Sequence, residues 1–448
     1  MMRLALSILG IATVAGIELC AIDTDTNKFF RQGIGPETVK LPADQIYPRG
    51  RIFPFSFYSI GGGSSAKRGE LLPAAEREAD QREILADGNV TLIGPQYELN
   101  DASLDVAAKY RVKMVYSVQP KVDGTLVDRK YLQQLTKEGK TLDREKIAAS
   151  IAGIVKAVAH RPEIAWWDLT PEELRSWEKN EGDYLQLAAD TIRANDPLKR
   201  PVFMYEPGHR DAASLAKTLS PQDLSCKGMY LNYSGMKHQR VWARWSIEQE
   251  VEAIRLAGKS QVAPIALPEM FQQPKPEEMP LLRSWVRHDV YCALVNGAKG
   301  IMIFSASKRP NFTARADYLK AYLEVARELN GPLGLGQVFL FGKRLDDLEV
   351  ATLEGPEKIT LKGPRWTREY PAVSVANLAW NNARYVILVN SAEVPVKVVV
   401  SRLVYGSGVT VKSLFDATPE FTAPEGDFEV ELKPLEVAAF KIFFKKNQ

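Results

Sequence analysis

The sequence predicts an α/β protein in which a TIM-type (β/α)₈ barrel precedes a smaller antiparallel β-sandwich. The chain has 448 residues, which suits a barrel of about 250–300 residues followed by a second domain of about 100. Short β-rich runs alternate with amphipathic helical stretches from residue 50 to residue 331. Beyond residue 335 the pattern changes to short β-branched runs separated by turns.

The first residues have the charged-then-apolar layout of a secretory signal peptide. Arg3 precedes an apolar run over residues 4–17, and polar sequence begins at Asp23. The run is short for a membrane span, which needs about 20 apolar residues. We therefore predict a signal peptide over residues 1–21 and export to the periplasm or the extracellular space. A buried N-terminal helix is the alternative.

Eight runs are the predicted barrel strands, and several of them are almost continuously apolar, as expected of parallel strands buried on both faces. They cover residues 52–58, 90–94, 112–117, 164–169, 201–205, 228–232, 262–267 and 300–304. Eight successive strand–helix units favour a closed barrel. An open doubly wound sheet is the alternative, but the glycines at 61–63 lack a nucleotide-binding pattern such as GxGxxG.

Helical patterns lie between these runs, for example over residues 143–160, 182–195, 247–258 and 280–296. Asp143 and Asp211 stand where helix N-caps are expected, and Gly258 and Gly297 stand where helices should stop. The sequence therefore places a barrel over residues 22–334.

The remaining residues, 335–448, form the predicted sandwich. Its short runs cover residues 373–375, 385–389, 396–400, 409–414, 428–432 and 437–443. Because this region has few clustered polar groups, its expected role is structural, packed on the barrel. Carbohydrate binding is the alternative, since Trp366 and Trp380 could stack on sugar rings.

Composition narrows the class of partner. The net charge is +3 and no long basic run exists, so nucleic acid is not expected to bind. Cys20 falls near the predicted cleavage site, and Cys226 and Cys292 lie on separate predicted core elements, which indicates two free buried thiols. The four histidines show no metal-ligand spacing, so we expect neither a metal nor another cofactor. No later segment predicts a membrane span, and the oligomeric state is not indicated.

Catalytic groups of such barrels project from the C-terminal ends of the strands. Here those positions are rich in aromatic and carboxylate side chains. Aromatic rings pack on the apolar faces of sugars, and polar side chains bond to hydroxyls, so the composition predicts an oligo- or polysaccharide substrate. The candidate substrate contacts are Tyr58, Tyr97, Glu98, Trp167, Tyr205, His209, Asn232, Tyr233 and Phe304.

Two acids stand out at the ends of strands four and seven: Glu172, after the Leu169-Thr170-Pro171 run, and Glu269, which directly follows Pro268. A glutamate at both of these strand ends resembles the clan A glycoside hydrolases, retaining enzymes built on (β/α)₈ barrels that often carry a C-terminal β-sandwich. The resemblance implies that Glu172 is the acid/base and Glu269 the nucleophile, acting on a β-linked saccharide.

One position departs from that clan pattern, which has Asn before the first Glu. This chain has Pro171 there, and proline cannot bond the substrate 2-hydroxyl, so Asn232 or Gln96 would have to do so. A retaining enzyme needs its carboxyl groups about 5–5.5 Å apart, whereas ~6.5–9.5 Å indicates inversion.

Several alternatives stay open from the sequence. Glu173 rivals Glu172, and residues 170–173 also have the form of an ordinary helix start, with a Thr cap, Pro and two acids. Glu269 could be a solvated loop acid. The chain could instead be a non-catalytic saccharide-binding or scaffold protein on a degenerate barrel. It could also be another barrel enzyme, such as a carboxylate-based lyase or an inverting hydrolase.

Overall fold

A computed structural model describes residues 41–62, 72–363, 365–403, 408–416 and 420–444. The predicted signal peptide over residues 1–21 lies outside these ranges, as does Gly63 of the glycine run. In the ranges described, no helix combines the length and the apolar character needed to cross a bilayer.

The first part of the chain alternates strands with helices, and short helical turns lie at Tyr97–Leu99 and Pro276–Leu281. In chain order its elements are β1 (Phe55–Phe57), α1 (Ala74–Leu85), β2 (Leu92–Ile93), α2 (Asn100–Tyr110), β3 (Lys113–Val118), β4 (Lys121–Val122), β5 (Thr125–Leu126), α3 (Arg129–Lys137), α4 (Arg144–Val158), β6 (Ile164–Leu169), α5 (Lys179–Asn195), β7 (Val202–Phe203), β8 (Tyr205–Glu206), α6 (Ala212–Thr218), β9 (Leu224–Met229), α7 (Trp242–Leu256), β10 (Ala263–Pro268), α8 (Leu282–Val295), β11 (Ile301–Ile303) and α9 (Arg315–Asn330).

The parallel strands close into a barrel. The sheet order is β7-β6-β3-β2-β1-β11-β10-β9-β8. Only Met204 separates β7 from β8, so these two are halves of one fifth strand, the first half pairing with β6 and the second with β9. The sheet therefore has eight barrel strands in sequence order, and the predicted (β/α)₈ architecture is confirmed.

The sixth strand lies earlier than predicted. The apolar pattern placed it over residues 228–232, whereas β9 spans Leu224–Met229. Ser225 and Lys227 interrupt the apolar run, yet both are buried beneath helix α7. The Lys227 ammonium donates to the Ser246 hydroxyl at 2.7 Å and lies 4.4 Å from the ring centre of Trp245. Burial lowers the pKa of Lys227 to about 7.

Side chains of the barrel strands divide into an inner and an outer layer, because successive residues of a strand face opposite ways. Trp166 points inward and packs edge-on against Phe203, with ring centres 6.1 Å apart. Trp167 points outward into the helix layer, where its indole N–H donates to Asp196 at 2.9 Å. Cys226 lies inside the barrel and Cys292 on α8, both free and buried, as predicted.

The helix boundaries follow the predicted caps. The Asp143 carboxylate accepts from the backbone N–H of Lys146 at 3.1 Å, and that of Asp211 accepts from Ser214 at 2.9 Å. Gly258 follows the end of α7 with φ +64°, a conformation that favours glycine.

The second part of the chain is built from antiparallel sheets. Its elements are α10 (Leu335–Phe341), β12 (Lys343–Arg344), β13 (Glu349–Glu354), β14 (Lys358–Lys362), β15 (Thr367–Pro371), β16 (Val373–Trp380), β17 (Ala383–Asn390), β18 (Val396–Ser401), β19 (Val409–Ser413), β20 (Phe421–Ala423), β21 (Phe428–Leu432) and β22 (Val437–Phe444). A six-stranded sheet, β12-β16-β17-β22-β19-β20, and a three-stranded sheet, β13-β18-β21, share one apolar core. The predicted antiparallel sandwich is confirmed.

This second part packs on the barrel through aromatic and polar contacts. Trp366 stacks against Trp245 and Trp242 of α7, with ring centres 5.3 and 6.1 Å away. Within the second part itself, Trp380 stacks on Phe341 of α10 at 6.1 Å. Both tryptophans that were candidates for sugar binding in this region are therefore used in packing. The packing role expected for the sandwich matches this arrangement.

Candidate active site

Glu172 lies three residues beyond the C-terminal end of β6 and is partly exposed. Its Oε1 accepts a hydrogen bond from the hydroxyl of Tyr97, which belongs to the helical turn after β2. The negative charge of Glu172 also acts on the phenols of Tyr58, Tyr205 and Tyr230. Glu172 therefore lies among aromatic side chains at this end of the barrel.

The neighbouring Glu173 has a different role. Its backbone has φ +61° and its N–H donates to the Tyr205 carbonyl at 3.1 Å, so the chain turns here and α5 begins only at Lys179. The alternative of an ordinary helix start at residues 170–173 is therefore wrong. The Glu173 carboxylate pairs with the Arg129 guanidinium at 3.1 Å. Of the two glutamates, Glu172 is the one in contact with Tyr97.

Glu269 directly follows β10, and its backbone pairs with Phe304, the residue after β11. Its side chain is only 4% exposed, so the alternative of a solvated loop acid is wrong. Its carboxylate accepts from the backbone N–H of Asn232 and, at 3.1 Å, from that of Tyr233. Burial raises the pKa of Glu269 to about 7, against the opposing effect of these two N–H groups and of Arg240.

Seven aromatic rings form a continuous group at the same end of the barrel, here called the mouth cluster: Tyr58, Tyr97, Tyr205, Tyr230, Tyr233, Phe271 and Phe304. The ring centre of Tyr58 lies 6.4 Å from that of Tyr97 and 5.3 Å from that of Phe304. Tyr230 stacks on Tyr205 at 6.1 Å and meets Phe271 edge-on at 5.3 Å. The cluster thus extends from Tyr97, which contacts Glu172, to Phe304, whose backbone pairs with that of Glu269.

The phenols of this cluster are hydrogen-bond donors at neutral pH. Burial raises the pKa of Tyr58, Tyr205 and Tyr230 well above the usual value, and the charge of Glu172 raises each of them further. Tyr233 differs from these three because it is 68% exposed. The arrangement can present protonated hydroxyls and apolar ring faces to a ligand, beside two carboxyl groups.

The other four candidate substrate contacts are not members of the mouth cluster. Trp167 does not reach the barrel mouth, because its side chain is buried in the outer layer. His209 is exposed on the loop after β8. Glu98 belongs to the turn Tyr97–Leu99, and its side chain lies outside the described part of the structure. The Asn232 amide donates to the Tyr318 hydroxyl at 3.1 Å and accepts from Arg240 at 3.3 Å.

Gln96, the other amide proposed to bond a substrate hydroxyl, is also engaged. It is buried, and its side-chain N–H groups donate to the Ile60 carbonyl and to the Ser103 hydroxyl, both at 3.2 Å. The side-chain nitrogens of Gln96 and Asn232 therefore both donate hydrogen bonds within the protein.

Three aromatic residues were missed as candidates from the sequence. Tyr230 directly follows β9, and correct placement of the sixth strand would have revealed it at a strand end. Phe271 lies two residues beyond Glu269. Trp177 is 48% exposed on the loop between β6 and α5, with the Arg210 guanidinium 5.3 Å from its ring centre. A tryptophan flanked by the polar residues Ser176 and Glu178 was the signal available in the sequence.

Comparison with known proteins gives relatives by structure alone, since no family model and no curated protein matches the sequence. The α-amylase of Geobacillus thermoleovorans, solved with acarbose, superposes with a TM-score of 0.52 at 9% identity over 88% of this chain and 99% of its own. An Anoxybacillus α-amylase gives 0.53 at 9% identity, over 89% and 99% of the two chains. A structure described only as a glycoside hydrolase gives 0.52 at 10% identity, over 89% and 94%. The fold of this chain is thus one found in glycoside hydrolases.

Proposed function

We propose that this chain is a glycoside hydrolase that uses Glu172 and Glu269 as its pair of carboxyl groups. One observation carries the proposal. Both acids follow the C-terminal ends of barrel strands. The mouth cluster connects Tyr97, whose hydroxyl contacts Glu172, with Phe304, whose backbone pairs with that of Glu269. Aromatic rings beside two carboxyl groups match what hydrolysis of a glycosidic bond requires.

In the proposed retaining reaction, Glu172 donates its proton to the leaving oxygen while a carboxylate oxygen of Glu269 attacks the anomeric carbon. The glycosidic bond breaks and a glycosyl ester forms on Glu269. Glu172, now ionised, takes a proton from water, the water oxygen attacks the anomeric carbon, and the ester bond to Glu269 breaks. The Tyr97 hydroxyl would hold Glu172 in place, and the N–H groups of Asn232 and Tyr233 would hold Glu269.

A second candidate function is saccharide binding without catalysis. The observation that favours it is the enclosure of Glu269, which is 4% exposed and already bonded through both oxygens to backbone N–H groups. In this second function the Glu269 carboxylate would serve to fix the loop after β9. The mouth cluster would then bind a sugar without any bond being broken.

The test is turnover by the purified full chain on chromogenic α- and β-glycosides and on plant, algal and starch-type polysaccharides. Both linkages belong in the screen, because β-linkage comes from the sequence resemblance, whereas two structural relatives are α-amylases, one of them solved with acarbose. Glu172→Gln and Glu269→Gln should each lower kcat/KM by about 10²–10⁴-fold, the usual contribution of acid–base groups. Glu173→Gln, one residue away, is the matched control and should retain most of the activity.

Product analysis by NMR completes this test, since initial release of the substrate's own anomer would support retention and release of the opposite anomer would indicate inversion. Equal activity of all three variants would refute the assignment of the two acids. Tight saccharide binding without turnover, unchanged in Glu269→Gln, would support the binding protein instead.

A further inference from the structure

Arg309 follows strand β11 and lies over the mouth cluster. The centre of its guanidinium is 5.3 Å from the ring centre of Phe271 and 5.6 Å from that of Phe304. The side chain is half-buried. The cation therefore lies beside the rings that are expected to receive a ligand.

Among the residues described, the hydrogen bonds of Arg309 go only to neutral groups. One terminal nitrogen donates to the Met270 carbonyl at 3.3 Å and the other to the Ser305 hydroxyl at 2.7 Å. These two bonds leave other N–H groups of the five-donor guanidinium without a partner among the residues described. Met270 directly follows Glu269, so the cation is fixed close to the proposed nucleophile.

Arg309 differs from the other arginines near this end of the barrel, because it has no carboxylate partner in the part of the chain that the structure describes. In the residues that the structure describes, no aspartate or glutamate lies within ion-pair distance of it. Its counterparts all have such partners: Arg129 with Glu173, Arg210 with Glu206, Arg240 with Asp289 and Arg315 with Asp80. The charge of Arg309 is thus not neutralised within the described part of the protein.

A half-buried guanidinium without a counter-ion is unfavourable, and burial lowers the pKa of Arg309. An anion with paired oxygens would relieve this, because the planar fork of arginine matches carboxylate and sulfate groups with two parallel hydrogen bonds. A point charge on a flexible lysine would not give the same geometry.

We propose that Arg309 recognises an anionic group, a uronate carboxylate or a sulfate ester, on a saccharide bound at the mouth cluster. This inference rests on the proposed saccharide site and names its substrate class as acidic rather than neutral. Because Arg309 contacts the carbonyl of the residue after Glu269, the anionic group would lie on the sugar at the cleavage point or on its neighbour.

The test measures binding to matched pairs of oligosaccharides by calorimetry. Oligogalacturonate is compared with its methyl ester, and a sulfated galactan oligosaccharide with its desulfated form. Arg309→Gln should weaken binding of the acidic member about tenfold or more, as expected for loss of a charge-assisted hydrogen bond. Binding of the neutral member should change less than about threefold. The affinity of Arg309→Lys for the acidic member should lie between the affinities of wild type and Arg309→Gln.

Lys308→Gln is the matched control, since it removes a charge from the adjacent position, where Lys308 pairs with Glu76 at 3.5 Å. The two pairs of ligands separate a uronate from a sulfate as the group recognised. If neither acidic member binds more tightly than its neutral partner, or if Arg309→Gln weakens both members equally, the inference is overturned. Binding of an acidic member without turnover would support the inference while refuting the proposed hydrolase.

Discussion

Glu269 should make the protein less stable as pH rises, and this can be tested without knowing the substrate. Burial raises its pKa from 4.5 to about 7 in the folded chain. The folded state therefore keeps a proton that the unfolded state loses between pH 4.5 and pH 7. Folding is favoured by this group below pH 4.5, and the contribution is lost as pH rises through 7.

The size of the effect follows from the difference between the two pKa values. At about 1.36 kcal/mol for each pKa unit, raising the pKa from 4.5 to about 7 corresponds to about 3 kcal/mol at alkaline pH. Glu269→Gln stays neutral and escapes this loss. Its free energy of unfolding relative to wild type should therefore rise by about 3 kcal/mol between pH 4 and pH 8.

The assay is urea denaturation of both proteins at a series of pH values, followed by tryptophan fluorescence. Glu277→Gln removes a charge from the exposed segment after the site and controls for the change in net charge. A wild-type-minus-variant difference that is constant from pH 4 to pH 8, or that changes in the opposite direction, would refute the reasoning about burial.

The same titration governs activity if Glu269 is the nucleophile, because only the ionised carboxylate attacks. We expect kcat/KM to rise with pH through about 7, and this rise should be absent from the pH profile of Glu269→Gln. A kcat/KM that falls as pH rises through 7 would instead make Glu269 the proton donor and reverse the roles of the two acids.

Three further changes test the surroundings of the site. Tyr97→Phe removes the hydroxyl that donates to Glu172, so kcat should fall about tenfold with little change in KM. Trp177→Ala should weaken binding of longer saccharides roughly three- to tenfold, because it removes an exposed ring from the loop between β6 and α5 that also carries Glu172, while turnover of a short chromogenic glycoside stays the same. The buried His288 imidazole contacts Asp289 at 3.0 Å and Ser391 at 2.8 Å, and burial lowers its pKa. Wild type should therefore lose thermal stability relative to His288→Gln as pH falls below 6.5.

Each of these expectations has its own contrary result. Unchanged kinetics in Tyr97→Phe would mean that the phenol does not support Glu172 during turnover. Equal loss on short and long substrates in Trp177→Ala would indicate a folding defect rather than a binding site. A melting-temperature difference between wild type and His288→Gln that does not depend on pH would show that burial does not lower the pKa of the His288 imidazole.

The sequence was most reliable where one physical rule acted alone. Strands buried on both faces must be apolar, and this rule located most of the barrel strands. It misplaced β9 because Ser225 and Lys227 are buried polar residues, and the partner of Lys227, Ser246, comes from a helix distant in sequence. Local pattern contains no information about such partners, and the error placed Tyr230 within a strand instead of at a strand end.

The site shows the same division. Chain position identified Glu172 and Glu269, because the ends of parallel strands meet on one side of a barrel. It did not separate Glu172 from Glu173, since that choice depends on a left-handed turn at Glu173 and on the placement of Arg129. Side chains alternate along a strand, so one of the adjacent residues Trp166 and Trp167 must face inward, but the sequence does not show which. Trp167 was predicted as the contact, whereas Trp166 is the one that faces inward.

The sequence by itself determined the order and type of the elements, the change from barrel to sandwich and the two acids at the strand ends, because these follow from periodicity and chain position. Only the tertiary structure decided which side chains share an environment: that Glu269 is enclosed, that Glu172 is held by Tyr97, and that Arg309 lacks a carboxylate partner within the described residues. Burial and pairing depend on residues far apart in the chain, and these distances are fixed only when the barrel closes.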